Sequence, residues 1–97
     1  MNDGARPVTF RLYVVGQAPN SQRAISNLKA LCRQHLPDRC NIEIVDVFEN
    51  PKRALAEGVL MTPYLIVASE VPILSVVGDL TEPSAVLHAL GIDSDTV

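Results

Sequence analysis

Two cysteines and two histidines are the residues of this chain best suited to chemistry. Cys32 falls on the apolar stripe of a predicted helix, so the favoured interpretation is a small buried hydrophobe. Cys40 could approach Cys32 across the turn between that helix and the next strand, which in a reducing compartment gives at most a stress-linked disulfide. His35 and His88 stand on different predicted helices, and zinc requires three or four ligands. We therefore predict no catalytic residue, no metal site and no cofactor.

Composition limits the chain to one domain and a narrow set of partners. The 97 residues are 47% hydrophobic and 20% charged, which is enough for a packed core. We expect a single domain over 1–97 with frayed tails at 1–7 and 92–97. The net charge of −3 and the lack of a basic cluster longer than Lys52-Arg53 argue against nucleic acid or membrane as partner. The N-terminus lacks an apolar signal stretch, so we expect a cytoplasmic protein.

The elements that must position these residues follow from hydrophobic periodicity, which predicts the order β-α-β-α-β-β-α. The strands are predicted at 8–15, 41–47, 64–69 and 73–77. The helices are predicted to start at the caps Asn20 or Ser21, Asn50 and Thr81, and to end at Pro37, Gly58 and Gly91. Pro51 and Pro83 fall in the first turns of the second and third helices.

This element order predicts a fold. A strand–helix–strand unit forms a right-handed parallel crossover, and two strands joined by a short turn pair antiparallel. The sequence therefore predicts an α/β protein with one thioredoxin-like domain, a mixed four-stranded sheet and helices on both faces.

A thiol enzyme with that fold would carry a cysteine between its first strand and first helix, where the helix N-terminus stabilises a thiolate. This chain has "GQAPNSQR" at 16–23 and no cysteine there. Thr62-Pro63 heads the third strand, where such folds place a cis proline, and both isomers remain open. We predict that the chain is not an enzyme. A thiol- or glutathione-handling protein without the Cys-x-x-Cys motif and an orphan scaffold domain are the alternatives.

Four segments are informative when taken together: "LYVVGQAPNSQRA" at 12–24, "IVDVFENP" at 44–51, "TPYL" at 62–65 and "VVGDL" at 76–80. In combination they resemble the KaiB family of bacterial clock proteins. The resemblance implies a non-enzymatic module that binds the ATPase KaiC, captures KaiA and competes with the histidine kinase SasA, whose first domain is also thioredoxin-like. Its implied protein-binding residues here are Arg23, Asn50, Pro51, Lys52, Arg53, Thr62, Pro63, Gly78 and Asp79.

The chain departs from typical members of the family at several positions that are usually basic. Gly58, Val67, Leu74 and Ser75 stand there instead. The partner implied is therefore a KaiC-type ATPase or a clock or stress signalling protein such as a histidine kinase, with a KaiA-like protein as a further partner.

The resemblance also implies two alternative folds, a self-associated ground state and the thioredoxin-like state. Ile66 and Val67 favour a strand at 64–69, while "EPSAVLHAL" at 82–90 favours a helix. These local preferences sum to about 2 kcal/mol for the thioredoxin-like state. Because the third and fourth strands carry few charges, we also expect dimers or tetramers at high concentration.

Overall fold

The computed structural model describes residues 7–70 and 72–92, and the predicted tails fall mostly outside them. Ile92, within the tail predicted at 92–97, donates its backbone N–H to the oxygen of Leu87 at 2.8 Å. The strands are β1 (Val8–Val14), β2 (Cys40–Asp46), β3 (Tyr64–Val67) and β4 (Leu74–Val77), and the helices are α1 (Pro19–His35), α2 (Pro51–Ala56) and α3 (Ser84–Ala89).

The described strands form one mixed sheet in the order β2-β1-β3-β4. β1 and β2 are parallel, with Val8 opposite Cys40 and Val14 opposite Asp46. β3 pairs antiparallel with both β1 and β4. The predicted α/β architecture with a parallel crossover and a hairpin is therefore confirmed, and the segment at 64–67 is a strand.

Helices cover both faces of the sheet, as predicted. On one face, Phe10, Leu12 and Leu65 are buried against Leu28 of α1 and Leu87 of α3. On the other face, a smaller cluster packs α2 onto the sheet and consists of Tyr13, Val45, Ala54 and Ile66. The alternation of β1 explains both layers, because successive side chains of a strand point to opposite faces.

Two of the predicted helix starts are wrong. α1 begins at Pro19 with Ala18 at the cap position, not Asn20 or Ser21. The Ser21 hydroxyl is buried and instead accepts the backbone N–H of Val15 at 3.0 Å, which closes the turn between β1 and α1.

α3 begins at Ser84, with Pro83 at the cap position instead of in the first turn. Thr81 is not its cap, because the Thr81 hydroxyl bonds the carboxylate of Asp79 at 2.7 Å. The predicted boundaries of α2 hold more closely: Asn50 is its cap, Pro51 its first residue, and Gly58 follows with a positive φ of 72°.

Three further findings concern the peptide bonds, the cysteines and the length of the helices. The Thr62-Pro63 bond is cis. Cys32 is buried in the hydrophobic core as expected, and it is joined to Cys40 in a disulfide, a pairing that the sequence left open. Within residues 7–70 and 72–92, no helix has the length and apolar character to cross a membrane.

Candidate protein-binding surface

The residues predicted to bind proteins gather toward one end of the sheet. β1 and β2 both finish at this end, where Val14 lies opposite Asp46. β3 begins and β4 finishes at the same end, where Tyr64 lies opposite Val77. The start of α1, the start of α2, the Thr62-Pro63 bond and the Gly78-Asp79 turn therefore share one end of the molecule. These segments are far apart in the sequence, and only the fold brings them to the same end of the sheet.

Arg23 and Asp79, distant in sequence, are in contact. The Arg23 Nε donates to Oδ2 of Asp79 at 3.2 Å, and Asn27 on the next turn of α1 donates its amide to the Asp79 carbonyl oxygen at 2.8 Å. Hydrogen bonds from the Thr81 hydroxyl and backbone, followed by the one from Arg23, lower the pKa of Asp79. The turn after β4 is thereby fastened to α1.

Pro63 and Gly78 are joined by the backbone. The N–H of Gly78 donates to the carbonyl oxygen of Pro63 at 2.9 Å. Gly78 has a φ of 123°, which side-chain-bearing residues rarely adopt, so the turn at this position depends on glycine. Arg23, Pro63, Gly78 and Asp79 thus form one connected group, which we call the turn cluster.

Other predicted residues form the start of α2, with Asn50 at the cap position and Pro51, Lys52 and Arg53 in the first turn. The loop that leads into α2 is held by Asp46, the last residue of β2. Its two carboxylate oxygens accept the N–H groups of Gly16 at 3.0 Å and Phe48 at 2.8 Å. Its carbonyl oxygen accepts the side-chain amide of Asn50 at 3.1 Å. Asn50 therefore orders the loop.

A network of charged side chains links α2 to strands β1 and β2. Arg11 contacts Glu43 on β2 at 3.1 Å and Glu57, just after α2, at 2.8 Å. Arg53 also reaches Glu43, at 2.7 Å, and the Tyr13 hydroxyl donates to Glu57. α2 is a helix of six residues, and a helix this short depends on such tertiary contacts for its stability.

The network changes the acidity of its members. Burial, then the hydrogen bond to the Glu57 carboxylate, raise the pKa of Tyr13 to about 12. Hydrogen bonds from Arg53 and Arg11 lower the pKa of Glu43. At neutral pH, Tyr13 is therefore a neutral donor and Glu43 a charged acceptor, the states in which this network is stable.

Large apolar side chains project into solvent around α2. Phe48 is 76% exposed, Leu55 75%, Leu60 89% and Met61 62%. We call these four residues the α2 surface. The sequence analysis missed them, although a signal was present. Leu55 lies within a helix of only two turns and the other three lie beside it, which is more large apolar side chains than so short a helix can bury.

No group of three or more potential metal-ligating side chains exists within the described residues. The α2 surface and the turn cluster offer exposed apolar side chains, hydrogen-bonding groups and ordered backbone. Such an arrangement can bind another macromolecule, because large apolar side chains exposed on one segment of the chain commonly mark an interaction site.

The comparison with family models decides the family. Residues 11–92 match the model of the KaiB domain. The chain belongs to the KaiB family. The matched range includes every residue of the turn cluster and of the α2 surface.

Individual KaiB proteins are similar over most of their length. The circadian clock protein KaiB3 of Synechocystis sp. is 40% identical over 86 residues, which cover 89% of this chain and 82% of that protein. The circadian clock oscillator protein KaiB of Gloeothece citriformis is 32% identical over 97 residues, covering 100% of this chain and 92% of that protein.

Solved structures confirm the thioredoxin-like fold. The N-terminal domain of Synechococcus elongatus SasA has a TM-score of 0.72 at 19% identity, covering 96% of this chain and 91% of that one. Mitochondrial thioredoxin 3 of Saccharomyces cerevisiae has a TM-score of 0.69 at 14% identity, covering 89% and 78%. The KaiB-family chain therefore shares its fold with the N-terminal domain of SasA and with thioredoxins.

Proposed function

We propose that this KaiB-family chain is a non-enzymatic protein-binding module of the cytoplasm that regulates a KaiC-type ATPase. A clock or stress signalling histidine kinase is the alternative partner, and a KaiA-like protein is a further one. The observation that carries the proposal is the α2 surface, four large apolar side chains exposed on a firmly anchored segment.

Anchoring matters because a partner gains most from side chains that are already ordered. Ala54 packs α2 against Tyr13 and Val45, while the charged network holds Arg53 and Glu57. The exposed face of α2 therefore needs little rearrangement on binding. Truncating ordered, central apolar side chains commonly weakens a complex by 1 kcal/mol or more, roughly fivefold in Kd.

The charges around the α2 surface are consistent with a protein partner. Arg53 is satisfied by Glu43, and Lys52 has no ion-pair partner within residues 7–70 and 72–92. Gly58, just after α2, adds no positive charge. We therefore assign most of the binding energy to apolar contact and a minor part to Lys52. We include Arg23, Thr62, Pro63, Gly78 and Asp79 as the second part of the surface.

The position of the cysteines supports a role without thiol catalysis. A thiol enzyme of this fold needs a cysteine at the start of α1, where the helix dipole stabilises the thiolate. Residues 16–19 there are Gly-Gln-Ala-Pro, and both cysteines lie toward the other end of the sheet in a disulfide.

The test is binding to the KaiC-type ATPase of the same organism in the presence of ATP, measured by size-exclusion chromatography and by titration. We expect a complex at micromolar concentrations. Leu55→Ala and Phe48→Ala should each raise the Kd at least about fivefold. Ile73→Ala is the matched control, because Ile73 is 64% exposed but lies beside β4 at the other end of the sheet, and its Kd should not change.

A wild-type chain that forms no complex with the ATPase would rule out the KaiC version of the proposal. The same titration with a histidine-kinase sensor domain then tests the alternative. Equal losses for Leu55→Ala and Ile73→Ala would refute the assignment to the α2 surface.

A further inference from the structure

The disulfide lies at the end of the sheet opposite the turn cluster. Cys32 belongs to the second-to-last turn of α1, and Cys40 is the first residue of β2, paired with Val8 at the start of β1. The connection between them includes a turn in which Asp38 has a positive φ of 63°. The proposed protein-binding function makes no use of this end of the molecule.

The two cysteine residues differ in their exposure to solvent. Cys32 is 7% exposed and packs in the main core, whereas Cys40 is half-buried at the sheet edge. Both line a surface groove of about 430 Å³ formed with Arg33, Leu36, Pro37 and Asp38. A thiolate arriving from solvent therefore reaches the sulfur of Cys40 more readily than that of Cys32.

The groove also has charges that select among small thiols. Arg33 and Asp38, both exposed, bring one positive and one negative charge to its lining. This pair suits a thiol that carries both a carboxylate and an ammonium group. The volume lies within the range of sites that hold small molecules, about 300–1,000 Å³, which is large enough for a short peptide thiol.

We propose that Cys40 is a site of thiol–disulfide exchange with a small zwitterionic peptide thiol, and that Cys32 is the resolving cysteine. The thiolate of the peptide attacks the Cys40 sulfur and forms a new S–S bond with it. The Cys32–Cys40 bond breaks, and its electron pair leaves on Cys32, which takes a proton from water. One disulfide replaces another, so this step needs no separate oxidant or reductant.

The second step goes in one of two directions. Cys32 as thiolate can attack Cys40 and expel the peptide thiolate, which restores the original bond. Alternatively, a second peptide thiol attacks the sulfur of the bound one, which leaves two protein thiols and a peptide disulfide. The second route reduces the protein by two electrons and oxidises two peptide thiols.

The surroundings of Cys32 make this exchange slow. Cys32 lies near the C-terminal end of α1, where the partial negative charge of the helix dipole opposes a thiolate, and burial opposes it further. The site therefore acts as a modification site and differs from the rapid catalytic pair of a thiol oxidoreductase.

Mass spectrometry of the wild-type chain tests the proposal, with glutathione as the probe. The oxidised protein is incubated with reduced glutathione, quenched with acid, alkylated and digested. We expect an intermediate with glutathione on Cys40 and the alkyl group on Cys32. Glutathione mainly on Cys32, equal amounts on both, reduction with no mixed disulfide, or two free thiols in the untreated protein would each overturn the proposal.

Charge variants test the groove separately. Arg33→Glu should slow the exchange with glutathione at least about threefold at low salt, and should slow exchange with 2-mercaptoethanol, which attacks as a thiolate but carries no carboxylate, by a clearly smaller factor. Lys29→Glu is the control, since Lys29 is exposed one turn earlier on α1 and outside the groove. An equal effect of both variants, or none from Arg33→Glu, would contradict recognition by the groove.

A failure of this proposal is distinguishable from a failure of the proposed function. The exchange is measured on the isolated chain, and complex formation with the ATPase does not enter it.

Discussion

At the scale of single residues, Tyr13 is a much weaker acid than a free tyrosine, because burial and the hydrogen bond to Glu57 raise its pKa to about 12. Its ring is buried on the α2 side of the sheet, and its hydroxyl donates to Glu57. The neutral form is favoured in the folded state, so its contribution to stability is complete below a pH of about 10 and is lost as the pH rises toward 12.

We therefore predict that Tyr13→Phe removes a tyrosine ionisation with a pKa of about 12. Ultraviolet absorbance of tyrosinate, followed during an alkaline titration with circular dichroism as a check on folding, measures it. Tyr64→Phe is the control and should retain that component. At neutral pH, Tyr13→Phe should lower the free energy of unfolding by about 1 kcal/mol, the usual cost of one hydrogen bond. If Tyr64→Phe removes the ionisation with a pKa of about 12 and Tyr13→Phe does not, the assignment of that ionisation to Tyr13 is wrong.

Asp79 gives the opposite dependence on pH. Its pKa is lowered in the folded state, so its contribution is present above the unfolded value near 3.8 and is lost as the pH falls through the folded value. Asp79→Asn should therefore lower the free energy of unfolding at pH 7, and the difference from wild type should shrink as the pH falls below the unfolded value. Urea denaturation measures both.

Asp38→Asn serves as the control for Asp79, because Asp38 is exposed at the other end of the sheet and asparagine tolerates its positive φ. A constant difference between Asp79→Asn and wild type from pH 7 to pH 3 would contradict the role of the ionised carboxylate.

At the scale of elements, α2 is a short helix placed by its packing. Ala54 is 7% exposed against the sheet, whereas Ala56 points into solvent. Ala54→Leu should overpack the layer and lower the free energy of unfolding by about 1–3 kcal/mol. Ala56→Leu, the same change on the exposed side, should remain within about 0.5 kcal/mol of wild type. Similar losses for both variants, measured by urea denaturation, would argue against the observed orientation of α2.

Elements with strong local signals could be predicted from the sequence. The alternation of Phe10, Leu12 and Val14 gave β1 and its buried face, and Asn50-Pro51 gave the start of α2. The starts of α1 and α3 could not be predicted correctly, because Ser21 and Thr81 bond to Val15 and Asp79 instead of capping their helices. Such competing partners are visible only once the chain is folded.

Only part of the candidate site could be predicted, because its contacts also form only when the chain folds. The resemblance to the family indicated Arg23 and Asp79 separately, and their contact depends on the topology that brings α1 to the turn after β4. The network of Arg11, Glu43 and Glu57 gave no local signal, since its members belong to different elements. The exposure of Phe48 and Leu60 likewise depends on what the fold leaves uncovered.

At the scale of the whole molecule, the sheet ends at β4, an edge strand with few charges. Val77 is 48% exposed and Ile73, just before the strand, 64%. An exposed apolar edge can pair with that of a second copy. We expect dimers or tetramers at hundreds of micromolar in sedimentation velocity experiments. Val77→Lys should shift the protein toward monomer, and Phe48→Lys, on the α2 surface, should not. Only monomer in the wild type would contradict this prediction.

The central claim is that this chain acts by binding a protein partner through the α2 surface. Hydrogen–deuterium exchange of the chain, with and without the KaiC-type ATPase and ATP, tests it most directly. We predict slower exchange in peptides that cover residues 47–63, with no change in those that cover 30–40 at the opposite end of the sheet. Unchanged exchange throughout the chain at tens of micromolar ATPase, or protection confined to 30–40, would contradict the claim.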